Sequence, residues 1–317
     1  MTVNMKKLIV SPSPHIRSGN TTSNIMFDVI LALFPALFVS MVFFGMRALI
    51  VTLVCVISCV GFEYLSRKIM KKTNTISDLS AVVTGMLFAF NLPPAIPIWI
   101  AVLGCFFAIV IVKQLFGGIG QNFANPAITA RIIIFVSFSK YMTTWTQPFA
   151  YRYNVDAVAS ATPLVDINSA NTLDLFLGNV SGCIGEVSAL ALIIGGIYLT
   201  IRKVINPIIP IAFIATVFFG TWALGQNPIN EIFAGGLMLG AIFMATDYTT
   251  TPTTLKGRII FAIGCGVITT VIRIFGSYDE GVSFAILFMN LISPLIDRVT
   301  RTKPFGKIMK KEVKTNV

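Results

Sequence analysis

The chain has 317 residues, of which 55% are hydrophobic and only 12% are charged, with a formal net charge of +11. Soluble domains carry roughly 25% charged residues, so this composition excludes an ordinary water-soluble enzyme and indicates a polytopic membrane protein. The positive charge lies in short loops and in the tail 298–317, not in a stripe with interleaved aromatic residues, which excludes a nucleic-acid-binding surface.

Apolar segments that are long enough to cross a bilayer, or nearly so, recur along the whole chain. A helix needs about 20 apolar residues to span the hydrocarbon core. The candidate spans are residues 25–44, 48–65, 79–92, 95–113, 127–142, 184–201, 207–224, 231–247, 257–275 and 281–297. Two of them, 79–92 and 127–142, are short and lie beside Gly, Pro and Asn residues, as broken helices that line a site often do. The sequence therefore predicts an all-α integral membrane protein with ten transmembrane helices.

Lys and Arg residues are distributed unequally between the two sets of loops. With the N-terminus in the cytoplasm, nineteen basic residues fall on the cytoplasmic side and four on the opposite side. The positive-inside rule therefore places both termini in the cytoplasm. The resulting divisions are a cytoplasmic segment 1–24, a five-helix half 25–142, an extracytoplasmic loop 143–183, a second five-helix half 184–297 and a basic cytoplasmic tail 298–317.

The two halves are predicted to be inverted repeats, because five is an odd number of spans and equivalent helices must then run in opposite directions. Gly104-Cys105 in the fourth span matches Gly264-Cys265 in the ninth. Asp28 and Glu186 occupy equivalent positions, one turn inside the first and sixth spans. An ionisable group inside a membrane span is a candidate for an ion pathway, although a group near a span end can also simply reach water.

A first polar break, residues 117–127, joins the fourth and fifth spans and contains Gly118, Gly120, Asn122 and Asn125. Irregular backbone at membrane depth needs a cavity or a ligand to satisfy its polar groups. The amide side chains favour a site for a planar polar group such as an isoalloxazine or a quinone. The alternative is a glycine-rich re-entrant turn that is stabilised by Asn caps.

A second break, residues 243–252, surrounds Asp247 with four threonine hydroxyl groups, an arrangement suited to Na⁺ coordination or proton relay. The alternative is that these residues cap the next helix, with Thr251 or Thr253 as the N-cap. Arg131 lies within the fifth span, where a cation requires a carboxylate or a phosphate-bearing ligand nearby.

Two further carboxylates are explained by their sequence neighbours. Glu63 lies close to Arg67 and Asp297 lies beside Arg298, so interfacial salt pairs are expected at both places. The candidate ion pathway is therefore limited to Asp28, Glu186 and Asp247.

The loop between the halves contains Thr162, which is followed by Pro163 and preceded by Ser160 and Ala161. These small neighbours predict a hydroxyl that is open to a modifying enzyme. Taken alone, these residues are no evidence of modification, and an ordinary polar loop explains them better.

Together these segments resemble the family of membrane proteins that contains the D subunit of the Rnf complexes, which are ion-translocating ferredoxin:NAD oxidoreductases. They are similar, more distantly, to the B subunit of the Na⁺-translocating NADH:quinone reductase. The segments that carry the resemblance are 11–15, 117–127, 156–164, 185–188, 244–252, 281–290 and 294–297.

The resemblance implies that FMN is joined through its phosphate to Thr162 by a dedicated flavin transferase. The family's recognition pattern has an Asp six residues before the threonine, which Asp156 satisfies, and Ala161 also fits. Ala159 and Ser160 stand where the family usually has Ser or Thr and then Gly.

The resemblance also implies a flavoprotein subunit of an electron-transport complex in the bacterial cytoplasmic membrane, with no activity as an isolated chain. Electrons from ferredoxin pass by way of flavin to NAD⁺, and the free-energy drop drives Na⁺ or H⁺ outward. Riboflavin is expected near residues 117–127 as a second flavin. The implied partners are the other subunits of the complex, the flavin transferase and membrane lipid.

Two other functions remain open at this point. A channel or secondary transporter of the inverted-repeat type has the same composition and span count, with its substrate between the two breaks. A scaffold subunit that has lost its flavin follows if Ala159 and Ser160 abolish modification.

Overall fold

The computed structural model describes residues 21–152, 159–160, 162–164, 167, 170–276 and 280–301. The predicted roles of Asp156 and Ala161 concern residues outside these ranges. Within them the chain is mostly helical.

The first half contains six helices. They are α1 (Thr22–Phe44), α2 (Met46–Ile69), α3 (Ser80–Phe90), α4 (Ile98–Phe106), α5 (Pro126–Ser137) and α6 (Ser139–Met142). Helix α4 continues directly as a π-helical segment, Phe107–Gln114. Helix α5 begins where the sequence favours it, because the Asn125 side chain accepts from the Ala127 and Ile128 N–H groups and Pro126 occupies the first turn.

The connection between the halves packs against the end of α1. Two short strands, β1 (Trp145–Thr146) and β2 (Ala159–Ser160), pair antiparallel, and a short helix α7 (Thr172–Leu177) follows. The Phe149 N–H donates to the Phe43 carbonyl oxygen at 2.7 Å, and the Tyr151 hydroxyl donates to the Val42 carbonyl oxygen at 3.0 Å. The start of the connection is thus fixed to the membrane-embedded body.

The second half has a similar order of elements. They are α8 (Ala189–Ile201), α9 (Ile208–Ala223), α10 (Pro228–Phe233), α11 (Leu237–Leu239), a π-helical segment Gly240–Met244, α12 (Leu255–Phe275) and α13 (Val282–Thr300). Residues 231–247, predicted as one span, are broken at Gly235-Gly236, where Gly235 has a φ of +64°. That left-handed conformation suits glycine and ends α10 before α11 begins.

The structure confirms a multi-pass membrane protein. Among the described residues, α1, α2, α12 and α13 are long and apolar enough to cross a bilayer, and five further apolar helices have 10–17 residues. The short segments 79–92 and 127–142 are indeed short helices, α3 and α5. The arrangement of ten spans as two inverted repeats stays a prediction.

Small residues allow helices to approach closely, both between the two halves and within the first half. Gly195 in α8 faces α1 so tightly that a Cβ there would overlap the carbonyl oxygen of Ala32. Gly85 in α3 faces α2, where a Cβ would lie 2.8 Å from the Cα of Val56. Helices in lipid associate through such close backbone contacts, because burial of apolar surface gives little advantage there. One continuous core therefore includes residues from both halves.

The contact between α1 and α8 gives a first prediction. Gly195→Ala should lower the apparent melting temperature of the purified chain in detergent, because the new methyl group meets a backbone oxygen that cannot move aside. Overpacking of this kind costs about 1–3 kcal/mol. Gly61→Ala in α2 is the matched control, since a Cβ at Gly61 meets nothing within 4 Å. Equal melting temperatures for the two variants would contradict the close α1–α8 contact.

Candidate functional site

A cleft lies beside the connection between the two halves, and Thr162 forms part of its wall. Its other lining residues include Arg131, Phe135, Met142, Trp145, Gly182, Glu186, Gly235 and Glu280. The cleft encloses about 760 Å³ of space that atoms do not occupy, open solvent included.

Thr162 is buried, with 7% of its surface exposed. Its Oγ has no hydrogen-bond partner among the residues that the structure describes. The prediction of an open threonine is therefore wrong. The reason is the apolar packing of the adjacent turn, where Leu164 contacts a small core of Ile167, Leu175 and Ala234. A buried hydroxyl without a partner is costly, so this position suits a group that bonds to it.

Arg131 lies in the middle of α5 and is buried. Its guanidinium forms an ion pair with both carboxylate oxygens of Glu280 and donates to the Ser283 hydroxyl at 2.6 Å. It also donates to Asn91 Oδ1 at 3.1 Å and approaches Cys183 Sγ at 3.7 Å. The prediction that this arginine needs a carboxylate is confirmed, and the carboxylate comes from the start of α13.

Glu186 lies in the turn before α8 and not one turn inside a helix, as the sequence suggested. Its Oε1 accepts from the Cys183 N–H at 2.9 Å, whereas its Oε2 has no partner among the described residues. One carboxylate oxygen of Glu186, one of Glu280 and the Cys183 sulfur lie within 4.8 Å of one another. Two carboxylates therefore adjoin a single guanidinium at this edge of the cleft.

Asp28, by contrast, lies within α1 and has a complete set of partners. It accepts from the Tyr198 hydroxyl at 3.0 Å and from Arg202 at 3.2 Å and 3.3 Å. Arg202 is 56% exposed, so this pair reaches solvent. Asp28 joins α1 to the end of α8. Unlike Glu186, it does not line the Thr162 cleft.

A second cavity lies where the two polar breaks meet. We call it the Asn122 cavity; it encloses about 1290 Å³ on the same measure. Its polar lining residues include Ser80, Thr84, Lys113, Gly120, Asn122, Asn125, Thr246, Asp247 and Thr249. Gly118 does not line it, because Gly118 packs directly against the Arg67 guanidinium.

The sequence left two roles open for the asparagines of the first break, which were lining a ligand site and capping a re-entrant turn. The structure combines both roles. Asn125 caps α5, and its amide donates to the Met244 carbonyl oxygen at 3.4 Å. Asn122 donates to the Ala124 carbonyl oxygen at 3.0 Å. Both side chains nevertheless line the cavity, so the caps themselves form part of its wall.

The second break is a self-contained turn around Asp247. The carboxylate accepts from the Thr249 hydroxyl at 3.1 Å and from the Thr250 hydroxyl at 3.4 Å. The N-cap of α12 is Thr254, whose Oγ accepts from the Gly257 N–H at 3.1 Å. The alternative that Thr251 or Thr253 is the N-cap is therefore wrong, because the observed N-cap lies after both of them.

Helix α5 connects the cleft to the Asn122 cavity. Its first residues line the cavity, and Phe135 in its last turn lines the cleft. Between them, Arg131 contacts Asn91, which in turn lies 3.6 Å from the Met244 sulfur. Polar contacts thus run through the protein from one site to the other.

A buried cluster around Glu63 was missed by the sequence argument. Glu63 pairs with Lys113 at 2.9 Å and not with Arg67, and their side chains are 0% and 3% exposed. Gln114 also donates to Glu63, at 3.0 Å. The π-helical segment after α4 carries Lys113 and Gln114, and such a local change of helical register cannot be read from an apolar pattern. The sequence predicts both Glu63 and Lys113 on the cytoplasmic side of the membrane. This shared location was the available indication that they could pair.

Two other ionic groups differ from expectation. Asp297 accepts from the Thr253 N–H at 3.0 Å and has no ion pair with Arg298 among the described residues. Arg273 pairs with Glu231 at 2.9 Å, and this buried link between α12 and α10 was not predicted.

The chain is similar to known membrane proteins along nearly its whole length. The model of the NQR2, RnfD, RnfE family matches residues 9–306. The D subunit of the Na⁺-translocating ferredoxin:NAD⁺ oxidoreductase complex of Acetobacterium woodii is 49% identical over 98% of this chain and 100% of its own. The D subunit of the proton-translocating complex of Clostridium ljungdahlii is 43% identical over 94% and 96%. The D subunit of the ion-translocating oxidoreductase complex of Stutzerimonas stutzeri is 36% identical over 91% and 93%.

The ionic groups give a second prediction. Glu63→Gln should destabilise the chain much more than Asp28→Asn, because it leaves Lys113 buried without a carboxylate. Breaking a buried pair costs about 3–5 kcal/mol, whereas a solvent-reaching pair is worth about 0–1 kcal/mol. Thermal unfolding in detergent measures both. The double variant Glu63→Gln, Lys113→Met should recover part of the loss; no recovery would contradict the assigned pairing.

Proposed function

The chain belongs to the NQR2, RnfD, RnfE family, and we propose that it is the D subunit of an ion-translocating ferredoxin:NAD oxidoreductase complex. Its role there is to carry electrons through flavin, in association with the other subunits of that complex. The near full-length similarity to three D subunits supports this assignment. Membership of the family does not establish which cofactor the chain carries. The argument for the cofactor comes from the Thr162 cleft.

The buried, unpartnered hydroxyl of Thr162 carries the proposal of covalent FMN. A phosphoester at Thr162 Oγ removes the unsatisfied donor and places the rest of the flavin in the cleft. Phe135, Met142, Trp145 and Val187 supply apolar surface there, as flavin rings require. When bound, FMN supplies one- and two-electron chemistry, while the chain supplies position and electrostatics.

Several residues of this chain have defined tasks in the cleft. Arg131 places a positive charge beside it and is held in one orientation by Glu280 and Ser283. Gly182 and Gly235 leave room along the wall that side chains would fill. The apolar residues exclude water, which strengthens every electrostatic interaction at this site.

The burial of Thr162 also bears on its modification. A transferase cannot reach the hydroxyl of a threonine that is only 7% exposed in the folded chain. Attachment therefore takes place before the turn at Pro163 and Leu164 packs against the second half. The flavin then becomes part of the closed cleft.

The Asn122 cavity is proposed to hold riboflavin without a covalent bond. Its size, its apolar walls and the few amide and hydroxyl groups that converge on it are typical of a site for a planar polar ligand. Lys113 at its edge is already neutralised by Glu63. The cavity therefore has no free anchor for a phosphate among its described lining residues, which favours riboflavin over FMN.

We also propose that the membrane arrangement is that of two inverted five-helix halves with both termini in the cytoplasm. Each half contains a polar break and a π-helical segment, which supports a structural repeat. The unequal distribution of basic residues supports the orientation in the bacterial cytoplasmic membrane.

The third prediction tests covalent FMN. Co-expressed with a flavin transferase, the wild-type chain should show flavin fluorescence on a denaturing gel, and Thr162→Ala should show none, because the acceptor oxygen is gone. Thr146→Ala is the matched control, since Thr146 also has a buried hydroxyl without a described partner and lies in strand β1 nearby. It should remain fluorescent.

The fluorescence result also separates the other functions. A wild-type chain without fluorescence, in cells that modify a control substrate, would sink the proposal of covalent flavin. It would then favour the channel, transporter or scaffold interpretations.

The fourth prediction concerns the second flavin. Val83→Trp should fill the Asn122 cavity and abolish the flavin that is released on denaturation of a Thr162→Ala chain. Ile211→Trp, on the exposed face of α9, is the control and should retain that flavin. Absorbance of the released flavin at constant protein concentration measures the difference. Retention in Val83→Trp would place the flavin elsewhere.

A further inference from the structure

The edge of the Thr162 cleft holds more carboxyl groups than basic side chains, so it has an excess of negative charge when both glutamates are ionised. Glu186 and Glu280 contribute two carboxylates, and Arg131 is the one basic side chain that pairs with either of them within the described residues. Glu186 is 8% exposed, so little water surrounds its carboxyl group. An uncompensated buried carboxylate is strongly unfavourable, and one additional positive charge removes the imbalance.

Three other buried carboxylates lack this imbalance. Glu231 is matched by Arg273, Asp28 by Arg202 and Glu63 by Lys113. Each of these carboxylates has a basic partner within 3.2 Å and is thereby neutralised. The Glu186 carboxylate instead accepts one backbone N–H on Oε1, and its Oε2 has no partner among the described residues.

The space around these oxygens is defined by glycines. A Cβ at Gly236 would overlap Glu280 Oε1 and would lie 3.2 Å from Glu186 Oε2. A Cβ at Gly182 would lie 3.0 Å from Glu186 Oε1. The two glycines therefore leave the carboxylates uncovered on the side where they approach each other.

The spacing fits a small hard cation. One oxygen from each glutamate lies within 4.8 Å of the other, so one ion can contact both oxygens at about 2.4 Å. Ca²⁺, which is similar in size to Na⁺, takes oxygen ligands at about 2.3–2.6 Å. The remaining lone pairs of Glu280 are available, because a carboxylate has about four acceptor positions.

The charge of the cluster selects among cations. A divalent ion would convert a net charge of about −1 into +1 beside the Arg131 guanidinium, a like-charge contact. The neutral thiol of Cys183 adds a soft donor that does not match a hard ion, so the two carboxylates determine the affinity. A monovalent hard cation is the species that fits both the charge and the donors.

We propose that Glu186 and Glu280 bind one Na⁺ ion through Glu186 Oε2 and an oxygen of Glu280, at the edge of the Thr162 cleft. This site deepens the ion-translocating role proposed above and rests on that role only for the choice of Na⁺. An ester-linked phosphate on Thr162 would add negative charge to the same cleft and strengthen the attraction. The cation and the flavin would then share one cleft, where the charge of each affects the binding of the other.

The test is equilibrium dialysis of ²²Na⁺ against the purified full-length chain in detergent, with choline chloride holding the ionic strength constant. The wild-type chain should bind one Na⁺. Glu186→Gln and Glu280→Gln should each lower the affinity at least tenfold, since each leaves one carboxylate for Arg131. Asp297→Asn, at a carboxylate near the end of α13 that lines neither the cleft nor the Asn122 cavity, is the control and should bind Na⁺ as the wild type does.

A second measurement distinguishes a binding site from a structural cluster. Na⁺-dependent thermal stabilisation of each variant, against the same concentration of choline, shows independently whether the folded protein binds the ion.

Three results would overturn the proposal. They are no stoichiometric Na⁺ on the wild-type chain, binding that both glutamine variants retain, and a cluster that takes up a proton without competition from Na⁺. The same dialysis on Thr162→Ala, which lacks the acceptor for flavin, separates this inference from the proposed function. Na⁺ binding there with no fluorescence in any lane would leave the cation site standing and remove covalent FMN.

Discussion

The buried guanidinium of Arg131 is the interaction on which the arrangement of both halves depends. A cation at this depth requires a nearby counter-charge and a full set of acceptors, since neither lipid nor protein interior replaces water. The acceptors come from the break after α3, from the turn before α8 and from the start of α13. One side chain therefore fixes three segments that the chain order keeps far apart, and the Thr162 cleft exists because they meet there.

The two polar breaks follow from the same requirement. Backbone groups that leave a helix within a membrane need partners, and here most partners lie within the same break, while one hydrogen bond joins the two breaks. Asn125 donates to the Met244 carbonyl oxygen, at the end of the π-helical segment of the second half. In the first half the π-helical segment turns Lys113 and Gln114 towards Glu63. Each irregularity in one half is thus stabilised by a contact that also shapes the Asn122 cavity.

The sequence was sufficient to predict the features that depend on local interactions. The membrane class, the positions of most helices, the Asn125 cap and the need of Arg131 for a carboxylate all follow from composition, periodicity and charge. The sequence was insufficient to predict the features that depend on tertiary contacts. Glu280 as the partner of Arg131 lies 149 positions away, and Glu63 pairs with Lys113 because a π-helical segment changes the register. Thr162 has small neighbours that suggest exposure, yet Leu164 two residues later draws it into the protein.

The broken helices also bring the two proposed flavin sites close together. Helix α5 has 12 residues, which at about 1.5 Å per residue is a length of about 18 Å. The hydrocarbon core that a continuous helix must cross is about 30 Å thick. Because α5 begins at the Asn122 cavity and ends at the Thr162 cleft, the distance between the two sites is well below the thickness of the membrane. Replacing full-length helices by short ones flanked by polar breaks is therefore a direct way to shorten an electron-transfer step across a bilayer.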